Sequence, residues 1–322
     1  RSLGSRIIPC VYPKTIGYAK IFRRLLGEYG PYDSVHCNFS TYHGYVLRLS
    51  ARAGVPKRIA HSHNMYDIEP TSMFKRIYSK INRRLVAQYA THGIGVSRGA
   101  ARGLFGEQWE SDPRWNIIHC GVDLTPFRQS VDAWSVKEQL GIPHHAKVVG
   151  NVSKFNRRKN HTFLIRIMRE IAYRRKDIWF LLVGDGPLKT TIEEKVAAMG
   201  LQDRFVFTGV RSDVPQLLMG AMDVFLFPSL YEGLGLVLLE AQAAGVPCVI
   251  SDNIPREAQV IHELVERISL SRSPDMWADR VIDTIDKKEK NTIKTEEYQT
   301  RIDESEFNLT VCIDKLCDFY RR

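Results

Sequence analysis

The alternation of short apolar runs with amphipathic stretches constrains this chain more than any other feature. Ile178–Val183 and the run Asp223–Pro228 are short and rich in β-branched and aromatic residues, as strands buried on both faces require. Between such runs, apolar residues recur every three or four positions. Phe163, Leu164, Ile167, Met168 and Ile171 mark the inner face of a helix from Asn160 to Tyr173. Strand and helix follow one another throughout, which is the signature of an α/β fold with parallel sheets.

In the first half, strands are expected at Arg6–Pro9, Tyr32–Cys37, Arg58–His63, Gly93–Ser97 and Trp115–His119. Helices are expected at Ile16–Tyr29, Tyr42–Ala53, Phe74–Tyr89 and Arg98–Phe105. In the third of these, Phe74, Ile77, Ile81 and Leu85 should face the core. Lys75, Arg76, Lys80, Arg83 and Arg84 would then form either a solvated face or a membrane-surface patch. The pattern loosens at Gln129–Gly141, read as a linker, so residues 1–130 and 131–322 are expected to be two domains. After Pro143 the alternation restarts. Strands follow at Lys147–Val152, Ile178–Val183, Arg204–Phe207, the run before Tyr231, and Pro247–Ile250. Helices follow at Lys189–Met199, Val214–Met219, Met276–Lys288 and Val311–Tyr320, and the last of these are expected to cross back towards the first domain. The fold class is therefore two doubly wound, Rossmann-like parallel-sheet domains facing a cleft. The first half supplies fewer βα units than a doubly wound domain needs. It is expected to be incomplete, lacking an opening βαβ of roughly 60–80 residues at ~30 or more per unit.

Charge divides the same way. The net charge is +10, but residues 1–130 hold 19 Lys and Arg against 8 Asp and Glu, and the remainder 27 against 28. The excess suits an acidic partner for the first half: phospholipid head groups, a phosphorylated acceptor or nucleic acid; a merely solvated basic surface fits as well. No run approaches the roughly 18 apolar residues of a membrane helix. The six cysteines form no CxxC pair, so neither zinc nor a disulfide framework is suggested, and a reducing cytoplasm is the simplest setting.

Three stretches carry chemistry. Tyr231–Glu240 follows an apolar strand and opens a helix, with Glu232 before two glycines and Glu240 on the first turns. Glycines admit a ligand close to the backbone, and a helix start favours an anion, so a phosphate there would lie between two carboxylates. A glycosidase acid/base pair would not explain that helix start. Ser153–His161 places four cations after the first strand of the second domain. Lys154 and Lys159 are the candidates for a diphosphate, and Arg157 and Arg158 are expected to face solvent. Gly184-Asp185-Gly186-Pro187 lacks the spacing of a dinucleotide fingerprint and reads as a tight turn lining the cleft. Val210 lies on a loop whose backbone could meet a nucleobase. His61 and His63 are read as alternating to opposite sides of their strand, with His63 the better candidate for contact with the reacting group. The pair His36 and Asn38 invites the same argument.

Taken together, these residues resemble the family 4 retaining glycosyltransferases of the GT-B fold, in the capsular and exopolysaccharide biosynthesis group. The likeness rests on Glu232 and Glu240 as E-x7-E, Val152–His161, Val183–Pro187, Phe207-Thr208-Gly209, Phe227-Pro228-Ser229, His61–Asn64 and Gly121-Val122-Asp123. It implies transfer of a sugar from a nucleotide sugar, of the UDP type, to a polysaccharide or lipid-linked acceptor, with retained configuration. It also implies that no metal or other cofactor is needed and no nucleic acid bound, and that the protein works in the cytoplasm or peripherally at the inner membrane face. Glu240 would bind the ribose, Glu232 and His63 would contact the sugar, and Gly233, Leu234, Gly235, Leu236 and Val237 would surround the diphosphate with Lys154 and Lys159. Gly184, Gly186 and Val210 would line the donor site. The chain departs from the family at Ser153-Lys154, where Gly-Arg is usual, and at Cys120, where Asn is frequent. It also lacks the glycine-rich loop of the family's first strand. These 322 residues alone are therefore expected to be inactive or poorly folded in the first half. Two other readings share part of the pattern: a GT-B sugar-nucleotide epimerase, and a non-catalytic basic Rossmann protein that binds membrane or nucleic acid.

Overall fold

The computed structural model describes residues 5–13, 15–39, 42–65, 73–288 and 295–321. The chain divides into two compact units, Arg1–Ile118 and His119–Arg322.

The first unit is built on a four-stranded parallel sheet: β1 (Ser34–Cys37), β2 (Lys57–Ser62), β3 (His92–Gly95) and β4 (Trp115–Ile117), paired in that order. Helices α1 (Tyr18–Tyr29), α2 (His43–Arg52), α3 (Met73–Tyr89) and α4 (Arg98–Phe105) accompany the strands. Leu47, Ile59, Ile94 and Leu104 are wholly buried between sheet and helices. Arg6–Pro9, expected as a strand, joins no sheet and is largely exposed. Among the described residues β1 pairs on one side only, and that segment does not join its open edge.

The expected inner face of α3 is corrected. Phe74, Ile77 and Ile81 are exposed and Leu85 half-buried, while Asn82 and Val86 are buried. The helix docks where Asn82 Oδ1 accepts the Gly44 N–H at 2.9 Å. A side chain at Gly44 would meet Leu85 Cβ at 2.5 Å, so this missing Cβ sets which face of α3 turns inwards.

The second unit carries β5 (Lys147–Val152), β6 (Ile178–Val183), β7 (Phe205–Gly209), β8 (Val224–Phe227), β9 (Cys248–Ser251) and β10 (Val265–Ile268) in the order β10-β9-β8-β5-β6-β7, all parallel. Its helices are α5 (Ala133–Gln139), α6 (His161–Arg174), α7 (Lys189–Ala198), α8 (Val214–Gly220), α9 (Leu236–Ala243), α10 (Pro274–Lys288), α11 (Thr295–Asp303) and α12 (Leu309–Arg321). The chain winds outwards from β5 to β7, returns to β8 beside β5, and winds the other way. In such sheets the crevice at the carboxyl ends of the two strands flanking the reversal is the ligand site. Phe180, Phe225, Phe227, Leu164 and Trp277 are fully buried about the sheet. Each contributes about 1.5–3 kcal/mol over its exposed state.

Gln129–Gly141 is not a bare linker, since it contains α5, whose start is capped by Asp132 accepting the Trp134 N–H at 3.1 Å. None of the residues of α5 is fully buried, which is why its pattern looks loose. The preceding residues pack with the second unit: Val122 donates its N–H to Phe307 O at 2.9 Å, and the Gln299 amide donates to Phe127 O at 2.7 Å.

Candidate active site

The loop after β5 is held by its own polar side chains. Asn156 Oδ1 accepts the Lys159 N–H at 3.2 Å, closing a single 3₁₀ turn at Arg157–Lys159. Asn160 follows with φ 57°, a left-handed conformation that Asn tolerates better than most residues. Its amide donates to Pro228 O at 3.1 Å, and Leu230 donates its N–H to Arg158 O at 2.8 Å. These two bonds staple the loop after β5 to the loop after β8, across the reversal point of the sheet.

The staple brings Lys159 onto Glu232. Nζ lies 2.7 Å from Oε1, with side chains only 10% and 5% exposed. The ammonium also sits 4.7 Å from the centre of the Phe227 ring. Burial pushes the Lys159 ammonium below its ordinary range, and the Glu232 carboxylate opposes that fall. Arg158 does not face solvent as expected: it is half-buried, and its Nη2 stands 4.0 Å from Glu232 Oε2. The backbone staple at its own carbonyl draws it inwards. Arg157 is exposed.

Beyond Glu232, Gly233 and Leu234 are buried, and Gly235 takes φ 91° to turn the chain into α9. Gly235 at that helix start has no side chain to cap it, which leaves the amides of Leu236 and Val237 for an acceptor from elsewhere. Leu236 is exposed and Val237 half-buried. Glu240 is half-buried on the next turn, and burial raises its carboxyl above the ordinary range. Gln242 fixes the helix: its amide donates to Leu238 O and Ala258 O and accepts from the Val260 and Ile261 N–H groups.

An open pocket of about 460 Å³ adjoins the same strand ends, lined by Lys154, Gly184, Asp185, Gly186 and Val210. A side chain at Gly184 would lie 2.1 Å from Ser153 O, and one at Gly186 2.5 Å from Phe155 O. The loop after β6 can press against the loop after β5 only because both positions are glycine. The structure thus gathers the donor-site candidates into two groups. Lys154 shares the pocket with Gly184, Gly186 and Val210, whereas Lys159 is held by Glu232. Among the described residues, none of α9 lines that pocket.

In the first unit four histidines cluster at the ends of β1 and β2. His36 Nε2 and His61 Nδ1 share a hydrogen bond of 2.9 Å, His43 Nε2 donates to His61 O at 2.9 Å, and His63 Nε2 donates to Asn38 Oδ1 at 2.9 Å. The His61 and His63 rings are 4.0 Å apart, so the expectation that they point to opposite sides is wrong. Residues two apart on an extended chain share a face. Burial lowers all three of His36, His61 and His63, His36 to about 4 and His61 to about 2. His61 is buried, and its Nε2 has no hydrogen-bond partner among the described residues. Among the described residues, His61 has one ring nitrogen bonded and one unmatched, a difference that a one-dimensional pattern does not show.

Two α/β units, each with a parallel sheet, the second wound about a reversal point with cations on one loop and a carboxylate on the other, define an enzyme of the paired-Rossmann class. The chain belongs to the glycosyltransferases: the family model for glycosyl transferases group 1 matches residues 132–301, and that for glycosyltransferase family 4 matches residues 4–126. It is 34% identical over 287 residues to EpsF of Bacillus subtilis (strain 168), a protein ascribed glycosyltransferase activity, covering 87% of this chain and 74% of that one. It is 28% identical to the Escherichia coli UDP-Gal:alpha-D-GlcNAc-diphosphoundecaprenol alpha-1,3-galactosyltransferase, covering 90% of this chain and 75% of that enzyme. The fold is GT-B. Anabaena HepE, solved with UDP and glucose, superposes with a TM-score of 0.78 at 20% identity, over 94% of this chain and 81% of that one. WaaG, a glycosyltransferase of lipopolysaccharide biosynthesis, superposes with a TM-score of 0.64 at 17% identity, over 87% and 81%.

Proposed function

We propose that this glycosyltransferase is a retaining, metal-independent enzyme that moves a hexose or N-acetylhexosamine from a UDP-sugar to a polysaccharide or lipid-linked acceptor. The observation that carries the reading is the stapled pair of loops at the β5/β8 reversal, where Lys159 meets Glu232 beside a helix start that has glycine at its cap. Relatives support the donor class: one is named for UDP-Gal, and one GT-B neighbour was solved with UDP.

In this reading the α9 amides from Gly235 to Val237 take the diphosphate and Glu240 accepts from the ribose hydroxyls. Lys154 lies in the pocket with Gly184, Gly186 and Val210. Lys159 is the cation that meets the charge appearing as the sugar–phosphate bond breaks, which is electrostatic work a metal does elsewhere. Glu232 holds Lys159 in the free enzyme and turns to the sugar when the donor binds. The bond from the anomeric carbon to the diphosphate breaks, the acceptor oxygen bonds on the same face, and the acceptor proton passes to a diphosphate oxygen. His63 acts on the transferred sugar. The basic first half, 19 Lys and Arg against 8 Asp and Glu through residue 130, keeps the enzyme peripherally on the anionic inner face of the membrane.

Calorimetry with UDP tests the donor site. Glu240→Ala and Lys154→Ala should each raise Kd by about tenfold or more, the loss of one charge-assisted contact. His63→Ala should lower turnover and leave UDP affinity alone. Unchanged affinity in both donor-site variants would refute the site. Turnover abolished by a chelator and restored by a divalent ion would refute metal independence, and an inverted product anomer by NMR would refute retention.

A further inference from the structure

We propose that Asn38 is a positioning residue for His63: it holds the imidazole as the neutral tautomer with its proton on Nε2, so that Nδ1 is left to accept a hydrogen bond from a hydroxyl of the transferred sugar. The inference rests on the reading above that His63 acts on that sugar, and deepens it.

β1 and β2 bring the parts together by their register. His36 stands opposite Ile59, and Cys37 opposite Ala60. Residues two apart share a face of an extended chain, so His36 and Asn38 at the end of β1 lie on the same face as His61 and His63 at the end of β2. The side chains form a column there. The His36 and His61 rings are 5.0 Å apart and inclined by 21°, and those of His61 and His63 are 4.0 Å apart and inclined by 33°. His43, at the start of α2, donates to His61 O and pins the end of β2. His63 is the exposed end of the column.

Two contacts fix the His63 ring. Its neighbour His61 stacks against it, and Asn38 Oδ1 lies 2.9 Å from its Nε2. A carbonyl oxygen only accepts, so the nitrogen that faces it carries the proton. A half-turn of the ring would put carbon opposite Oδ1 and lose the bond. Although His63 is exposed overall, its ring lies against His61, and this partial burial holds it below the ordinary range. The ring is therefore uncharged at neutral pH and has one proton to place. The titratable groups beside it, His36 and His61, are kept uncharged by their own burial. With the proton on Nε2, Nδ1 keeps its lone pair, and the His63 ring makes no second hydrogen bond among the described residues.

An atom that only accepts selects what it meets. A hydroxyl donates to it, whereas the oxygen of a phosphate or carboxylate has no proton to give and is repelled. The Asn38–His63 pair thus recognises a sugar hydroxyl and leaves the diphosphate to the second unit.

Nitrogen NMR of the histidine-labelled chain near neutral pH tests the assignment, with the His63 signals identified by their loss in His63→Ala. The wild type should show His63 protonated on Nε2 alone, and Asn38→Ala a mixture of tautomers. Asn38→Asp keeps an acceptor opposite Nε2, so it should restore the single tautomer, and its charge should raise the pH at which His63 titrates by about one unit. UDP release from UDP-glucose, UDP-galactose and their N-acetylated counterparts should fall about three- to tenfold in Asn38→Ala, as the loss of one hydrogen bond requires. It should recover in Asn38→Asp above the raised titration, and the Kd for UDP should not move in either variant. Asn38 is exposed, so the unfolding midpoint should stay where it is. A wild-type His63 protonated on Nδ1, or a tautomer ratio that Asn38→Ala leaves unchanged, would overturn the proposal. UDP release that His63→Ala leaves untouched would remove the reading of His63 and this assignment with it. Release that falls in His63→Ala and not in Asn38→Ala would remove Asn38 alone.

Discussion

Replacing Glu232 by Gln should cost the second unit more than replacing its partner Lys159 by Met. The two side chains form a nearly solvent-free ion pair at 2.7 Å. Breaking a buried pair from one side costs about 3–5 kcal/mol, because a charge is left desolvated and unopposed. In Glu232→Gln the Lys159 ammonium stays in place with only the Phe227 ring and a neutral amide before it, and the Arg158 guanidinium remains close by. The full penalty, about 3–5 kcal/mol, is expected. In Lys159→Met the unbranched stem still covers Phe227, and Arg158, already 4.0 Å from Oε2, can close on the carboxylate. There about 1–3 kcal/mol is expected. The double variant removes both charges and should fall well short of the sum, giving a coupling of about 2 kcal/mol or more. Denaturant unfolding, read on the transition of the second unit, measures all three. A Glu232→Gln cost below about 1 kcal/mol, or a Lys159→Met cost exceeding it, would refute the argument that burial makes this pair.

Acid should weaken the first unit. His61 is held to about 2 and His36 to about 4 by burial, against an ordinary 6.5, so as the pH falls below about 6.5 the unfolded chain takes up protons that the folded one refuses. Stability is full above that pH and is lost on the way to the folded values: His61 alone should cost about 2 kcal/mol between pH 7 and pH 5, and the more exposed His36 less. Equal unfolding midpoints for the first unit at the two pH values would refute this. Gly186→Ala should destabilise by about 2 kcal/mol or more and weaken UDP binding, because its Cβ would meet Phe155 O at 2.5 Å. Gly200→Ala, with φ 67° but open space around it, should cost only about 1 kcal/mol, and equal costs for the two would remove the steric argument.

What the sequence made legible depended on whether a face was buried on both sides or on one. β5, β6, β8 and β9 are covered on both faces, so they are apolar runs and could be read directly. β10 is an edge strand with Glu266 and Arg267 at its centre, all four residues half-buried, and it left no run to find. The site divided in the same way. Glu232, Lys154 and Lys159 could be named because each follows a readable strand, and strand ends are where ligands meet such sheets. That Lys159 rather than Lys154 would turn inwards could not be named, since it depends on the Asn160–Pro228 and Leu230–Arg158 hydrogen bonds between distant segments. α3 shows the deeper limit. Periodicity finds an apolar stripe and assigns it to the core, but this helix has two. The choice between them was made on another helix, by the absence of a side chain at Gly44, and it left outside the stripe that looked more like a core. A second stripe that survives exposure is a feature to be explained by what lies against it in the cell.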